Sequence, residues 1–359
     1  MIVDVVRRGL PGRLWALALI LIALTLVVAL RGTARGNQSF AMANHPAEAG
    51  FSVMTYNVEG LPWPVRLGRA EKLVAIGERL AHMRQQGRQP RVVLLQEAFS
   101  DDARAIRALA GYRHAAYGPA ADMRARAAFA PDPDFEAAGS LFKGEGSGKL
   151  LDSGLIILSD YPIVSVRTEP FPVCAGYDCL ANKGMMIAMI AVPGAPVPIA
   201  LVNLHMNARK ASGVSYARAN AAYRRQAQAL HRFLDQHAAG LPTIVAGDFN
   251  IGRSAARRAM VRDALAWRDG GAPSDVLSAC ASASTACQGG LPADAQRSMR
   301  RAKDWQFLLG GGGSEWRVRR VVAPFGREKG GGMLSDHVGY TAYLELSPRL
   351  DRAITLASR

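Results

Sequence analysis

The sequence predicts an α+β domain, and three observations carry that prediction. Short apolar runs rich in Val, Ile, Leu and Phe have the length of buried strands, and several stop abruptly on a polar residue. Between them lie stretches with helical periodicity, at 68–86, 101–109 and 216–237. The chain has 359 residues, 49% of them hydrophobic, enough for one large domain or two small ones; we read one.

The chain begins with Arg7, Arg8 and Arg13 ahead of an uncharged run, LWALALILIALTLVVAL, from Leu14 to Leu30. As a helix it would span about 25 Å, slightly short of a bilayer core of about 30 Å. Residues 1–35 therefore read as a retained signal-anchor, or as a signal peptide if Ala41-Met42-Ala43 is a cleavage site. The basic flank places the rest of the chain on the outer side: a periplasmic or extracytoplasmic domain on the inner membrane, or a secreted one after cleavage. An exported domain allows disulfides, here Cys174–Cys179 and Cys280–Cys287.

A polar linker, 36–50, leads to the strand FSVMTYNV, which ends in Asn57 and is followed by Glu59. Two prolines bar GLPWPV, 60–65, from regular structure, and Leu61, Trp63 and Val65 can either meet a lipid interface or cap the core. Helix 68–86 carries Leu73, Ile76, Leu80 and Met83 on one face, and the strand RVVLLQE ends in Gln96 and Glu97. No period marks 118–149, which reads as a long loop. From Ser153 strands follow: SGLIILS, 163–167, 185–192 and 197–204, the last running into NLHMN with His205 and Asn207.

Helix 216–237 has Ala219, Tyr223, Ala227, Leu230 and Leu234 on one face and Arg218, Arg225 and Arg232 on another, a stripe that reads as a solvated face. The strand TIVAGDFN then delivers Asp248 and Asn250, with Gly247 permitting a sharp turn. The region 270–301 reads as a Ser-, Ala- and Gly-rich excursion. Asp304 opens DWQFLL, and Asp336 and His337, in LSDH, precede the last alternating strand, 338–346. The domain is thus 51–347, with a tail at 348–359.

The strand ends form an ordered series, N…QE…NLH…GDFN…D…SDH, which resembles the endonuclease/exonuclease/phosphatase superfamily, the deoxyribonuclease I-like fold, across roughly residues 51–346. The resemblance implies two packed, mostly antiparallel β-sheets flanked by helices, a four-layer α/β sandwich whose strand ends gather around Mg²⁺, or Mn²⁺ or another divalent cation, to hydrolyse a phosphoester. It implies Glu97 as the main metal ligand, with Asn57 and Asp336 at the same ion. Asp248 and Asn250 would position water and phosphate. His337 would be the general base oriented by Asp304, and His205 would steady or protonate the leaving-group side, with Asn207 contacting substrate.

The chemistry asks for these residue types independently of the resemblance. A hard cation takes oxygen ligands, and a histidine titrating near neutrality can accept a proton from water. The segment CAGYDCLANKG, 174–184, resembles the Lys-Gly segment of neutral sphingomyelinase-like members, and Lys183 either reaches a substrate phosphate or sits on a solvated turn.

The formal charge is +15, and without residues 1–43 it is 39 − 28, or +11, which favours anionic partners, lipid or nucleic acid. The expected function is a divalent-metal-dependent phosphodiesterase, sphingomyelinase- or phospholipase C-like, with membrane contact through the N-terminal helix and a monomeric state. An extracytoplasmic endonuclease or exonuclease is the alternative. A non-catalytic module binding a phospho-ligand would not need so complete an acid, base and metal set. Ile251-Gly252 after the GDFN motif and Lys303-Asp304-Trp305 argue against the inositol polyphosphate phosphatase branch.

Overall fold

Side chains on both faces of the central strands are buried because each sheet packs against its twin on one side and against helices on the other. The computed structural model describes residues 50–62, 65–126, 132–266, 273–282 and 287–349. All belong to the second of two units into which the chain divides, Met1–His45 and Pro46–Arg359. The expected signal-anchor, the cleavage pattern, Trp63 and residues 350–359 lie outside the described residues. Among the described residues, no helix is long and apolar enough to cross a membrane.

In chain order the elements are β1 (Phe51–Asn57), α1 (Arg69–Gln85), β2 (Val92–Gln96), α2 (Asp101–Ala110), β3 (His114–Tyr117), α3 (Pro133–Ala137), β4 (Ile156–Ser159), β5 (Ile163–Pro170), β6 (Gly184–Ile190) and β7 (Ile199–His205). Next come α4 (Tyr216–His237), β8 (Thr243–Asp248), α5 (Ala255–Ala264), β9 (Ser274–Asp275), α6 (Val276–Ser282), α7 (Ala293–Arg301), β10 (Asp304–Leu309), β11 (Ser314–Phe325) and β12 (Gly339–Pro348). Two six-stranded sheets result, β11-β12-β1-β2-β4-β3 and β5-β6-β7-β8-β10-β9.

The sheets share one plan. Each has a single parallel pair joined through a helix, β1–α1–β2 and β7–α4–β8, and every other pairing is antiparallel. Period-2 alternation sorts the strand residues: Val53, Val92, Leu94 and Ile157 meet Met186, Leu201 and Ile244 between the sheets. The intervening residues face outward, Met54, Val93 and Leu95 toward Leu73, Ile76 and Ile106 of α1 and α2. Val202, Leu204 and Val245 meet Tyr223, Leu230 and Phe233 of α4.

Three expectations need correction. Region 270–301 holds α6 and α7, with Cys280 of α6 bonded to Cys287; the other disulfide joins Cys174 to Cys179. The stretch 118–149, expected to be a loop, contains α3, which is held on α4 by the arginine stripe expected to be solvated. Arg225 pairs with Asp132, Arg218 pairs with Glu145 at 2.8 Å, and the Phe135 ring lies 4.1 and 5.0 Å from the two guanidinium centres.

Candidate active site

The C-terminal ends of the two parallel pairs lie at the same edge of the sandwich, so strands far apart in sequence finish beside one another. In the second sheet His205, Asp248 and Asp304 are register partners across three adjacent strands. In the first, Asn57 pairs with Gln96, and Glu97 comes directly after it.

The chain must turn away at once, and it does so through backbone that costs energy. Glu59, Glu97 and Asn250 have left-handed φ values of 51°, 55° and 49°, of the order of 1 kcal/mol or more each. Hydrogen bonds fix them: Gly60 N donates to Glu97 O at 2.9 Å, and Asn250 Nδ2 donates to Met206 O at 3.0 Å. At Gly247 (φ 141°) a Cβ would lie 2.0 Å from Leu204 O, so only glycine fits there.

These ends bring Glu97, His205 and Asp248 together, with ligand-type atoms within 4.8 Å of one another. Asn57 Nδ2 donates to Glu97 Oε1 at 3.0 Å and to Asp248 Oδ2 at 3.2 Å, and His205 Nε2 lies 3.5 Å from Asp248 Oδ2. Burial raises the Glu97 pKa, against the opposing pull of the Lys183 charge and the Asn57 hydrogen bond. Burial alone would raise that of Asp248, but the neighbouring His337 imidazolium and the Lys303 and Lys183 charges hold it well below the usual carboxylate range. Burial and the Lys183 charge push His205 well below its ordinary value and keep its ring neutral. Two carboxylates and an imidazole suit a divalent cation, so the donor set of Glu97, Asp248 and His205 fits a metal centre, while the Asn57 amide oxygen accepts from Glu59 N at 3.0 Å and its Nδ2 orients the two carboxylates.

His337, beside this group, donates from Nδ1 to both oxygens of Asp304, at 2.7 and 2.8 Å, which leaves Nε2 facing the pocket 3.8 Å from Asp248 Oδ2. Burial would lower its pKa; the carboxylates of Asp304, Asp248 and Asp336 prevail and raise it to about 9. Its loop is pinned because Ser335 Oγ donates to Asn57 O at 2.7 Å and accepts from His337 N at 3.1 Å. Each histidine has a lysine beside Nε2: Lys183 Nζ at 2.9 Å from His205, Lys303 Nζ at 3.4 Å from His337.

A pocket of about 970 Å³ takes in Glu97, Lys183, His205, Asp248, Asn250, Asp336 and His337. Asp304, Asn57 and Asn207 lie behind its wall. Asn207 is fully buried, its Oδ1 accepting from Ala175 N and its Nδ2 donating to Ala208 O, both at 2.8 Å. Asp336 is half exposed at the mouth, outside the Glu97–His205–Asp248 group, and its backbone N donates to Glu59 Oε2 at 3.1 Å.

Three supporting residues had no sequence signal strong enough to single them out. Asp178 binds Lys183 Nζ and Ala208 N, both at 2.5 Å. Glu59, two positions after Asn57, binds Arg66 and Arg69. Arg257 is 0% exposed and has no carboxylate partner among the described residues. It donates to Asn220 Oδ1, Asn207 O and Asn250 O at 2.8, 2.8 and 2.9 Å and lies 4.2 Å from the centre of the Tyr223 ring, so it ties the two catalytic loops together from below.

The model of the Endonuclease/Exonuclease/phosphatase family matches residues 54–334 of this sequence. The chain belongs to that family. No curated protein matches it in sequence. Solved structures of the family's fold do. Sphingomyelinase C from Streptomyces griseocarneus is 20% identical, with TM-score 0.53 over 82% of this chain and 98% of that one. Beta toxin from Staphylococcus aureus with bound magnesium ions is 17% identical, with TM-score 0.55 over 82% and 99%. A humanized D. rerio TDP2 is 15% identical, with TM-score 0.53 over 83% and 99%. At these identities the likeness establishes the endonuclease/exonuclease/phosphatase fold and the layered architecture expected from the sequence.

Proposed function

We propose that this family member is a divalent-metal-dependent phosphodiesterase that cleaves phospholipid head groups in the manner of a phospholipase C. The observation that carries the reading is the Asp304–His337 pair, which presents Nε2 to the same pocket as the Glu97–His205–Asp248 donor set.

His337 Nε2 takes the proton of the attacking water, and Asp304 fixes the tautomer and stabilises the imidazolium. Asp248 and Asn250, linked by the 3.0 Å Asn250 N to Asp248 Oδ1 bond, orient water and phosphate. Lys183 donates to a phosphate oxygen on the side steadied by His205. Mg²⁺, or Mn²⁺, held by Glu97 with Asp248, Asn57 and Asp336 close by, would neutralise charge growing on the phosphoryl oxygens.

Support for a lipid comes from the similarity to sphingomyelinase C and from Val65, which lines the pocket and is 66% exposed. With the N-terminal run acting as an anchor, the domain would work on the outer face of the inner membrane. The nuclease reading is favoured by the cationic rim. Product release from sphingomyelin, other phospholipids and DNA, side by side with Mg²⁺, tests both. Efficient DNA cleavage without lipid turnover would replace the lipid reading, and no hydrolysis of any diester would remove the enzyme reading.

A further inference from the structure

We propose that Arg253, Arg297 and Arg300 form a second anion subsite in this pocket, one that takes a phosphate group other than the one being cleaved. The proposal rests on the phosphodiesterase reading and narrows its substrate class.

Arg297 and Arg300 are three apart on α7 and so share a face, while Ala295 and Ser298 are buried. Arg253 lies three positions after Asn250, in the turn after β8. All three line the pocket that holds Asp248 and His337.

Charge balance leaves the pocket with an excess of unpaired cations. Arg66 is paired with Glu59, Lys183 with Asp178 and Arg301 with Asp336, whereas Arg253, Arg297 and Arg300 have no carboxylate partner among the described residues. Arg209, Lys210 and Lys303, which line the same pocket, are likewise without one. A divalent cation would balance the charges of Glu97 and Asp248. A single diester brings one negative charge, too little for the cations that remain, and a quaternary ammonium head group would face like charge.

The helix dipole offers a simpler origin for a cation in the last turn of α7. It accounts for Arg300 but not for Arg253, which precedes the first turn of α5, where a cation is disfavoured. Three planar guanidinium forks lining one pocket match phosphate oxygens. The ligand chemistry is therefore a phosphodiester with a further phosphate within reach, on a phosphorylated lipid head group, and turnover of a nucleic acid strand in its place is the outcome that would reassign it.

The test uses the full chain with Mg²⁺ and compares bis(p-nitrophenyl) phosphate and sphingomyelin, which lack a second phosphate, with vesicles of a phosphatidylinositol phosphate and with a short single-stranded oligonucleotide. The phosphatidylinositol phosphate should be preferred in kcat/KM, and preference for the oligonucleotide instead would reassign the ligand to nucleic acid. Arg297→Ala with Arg300→Ala, and separately Arg253→Ala, should cut that preference by roughly tenfold or more. In parallel, calorimetry of inorganic pyrophosphate with chelator-treated protein should show binding that weakens in the same variants.

Equal handling of all four substrates, or pyrophosphate binding that the variants leave intact, overturns the subsite while the phosphodiesterase reading stands. Pyrophosphate binding lost in the variants, with no substrate cleaved, keeps the subsite and removes the enzyme.

Discussion

Replacing Asp304 by Asn should move the titration of His337 by more than any other single change in the site. In the metal-free protein the His337 pKa rises from an ordinary 6.5 to about 9, a preference for the imidazolium of roughly 3 kcal/mol. Because the folded value lies above the unfolded one, this stabilisation is fully present below about pH 6.5 and is lost as pH rises through about 9. Asp304→Asn keeps the shape and one acceptor but removes the nearest charge. Burial, the largest influence, is then opposed by the more distant carboxylates, chiefly Asp248 and Asp336, and the pKa should fall toward 6.5. NMR titration of the imidazole in chelated protein, with urea unfolding at pH 6 and pH 10, measures both quantities. A bound cation would weaken the pull of Asp248, which is why the metal is removed first. A wild-type His337 titrating near 6.5, or a titration unmoved by Asp304→Asn, would refute the argument.

Glu97→Gln should remain folded, bind divalent metal more weakly by calorimetry, and lose roughly a hundredfold or more in turnover; full activity in this variant, or in the wild type with chelator, would exclude the metal reading. His337→Ala and Asp304→Ala should not multiply, because the pair acts as one unit, so the double variant should have nearly the kcat of His337→Ala. Multiplying losses would mean that the two residues act separately. Serine replacement of Cys174 and Cys179 should cost about 2 kcal/mol in denaturant unfolding, from loop entropy alone. It should also lower turnover, because Asp178, which holds Lys183, sits within that loop; unchanged kcat would show that the loop keeps its shape without the bridge.

The strand ends were legible because an apolar run that stops on Asn, Glu, His or Asp is a local signal, and α4 because its apolar positions keep a 3.6-residue period over 22 residues. What those ends meet was not legible from local pattern. The 3.2 Å contact of Asn57 with Asp248 spans 191 positions, and the sequence order implied it only through the family resemblance. The excursion at 270–301 concealed α7 because its buried face is made of Ala295 and Ser298, which carry almost no hydrophobic contrast. β11 was missed for a different reason. It is an edge strand with register shifts at Val318/Arg320 and Val322/Phe325, and each shift breaks the alternation by which a strand is read. The arginines of α4 looked solvated because Asp132 and Glu145 lie more than seventy positions upstream of them.

Arg257 sets a limit on how freely this site can deform. A guanidinium shut away from water with carbonyl and amide oxygens in place of a counter-ion is tolerable only while those oxygens stay where they are, so any movement of the Asn207 loop away from the Asn250 loop strands a charge in the interior. Adaptation to substrates of different bulk must therefore come from the entrance, at Val65 and the α7 arginines, while the floor moves as one block or not at all. The same charge leaves room for improvement that selection on stability alone would have taken. An apolar residue of similar length would relieve the burial of an ion and could raise the melting temperature, at the expense of the register between two loops on which the geometry of proton transfer depends.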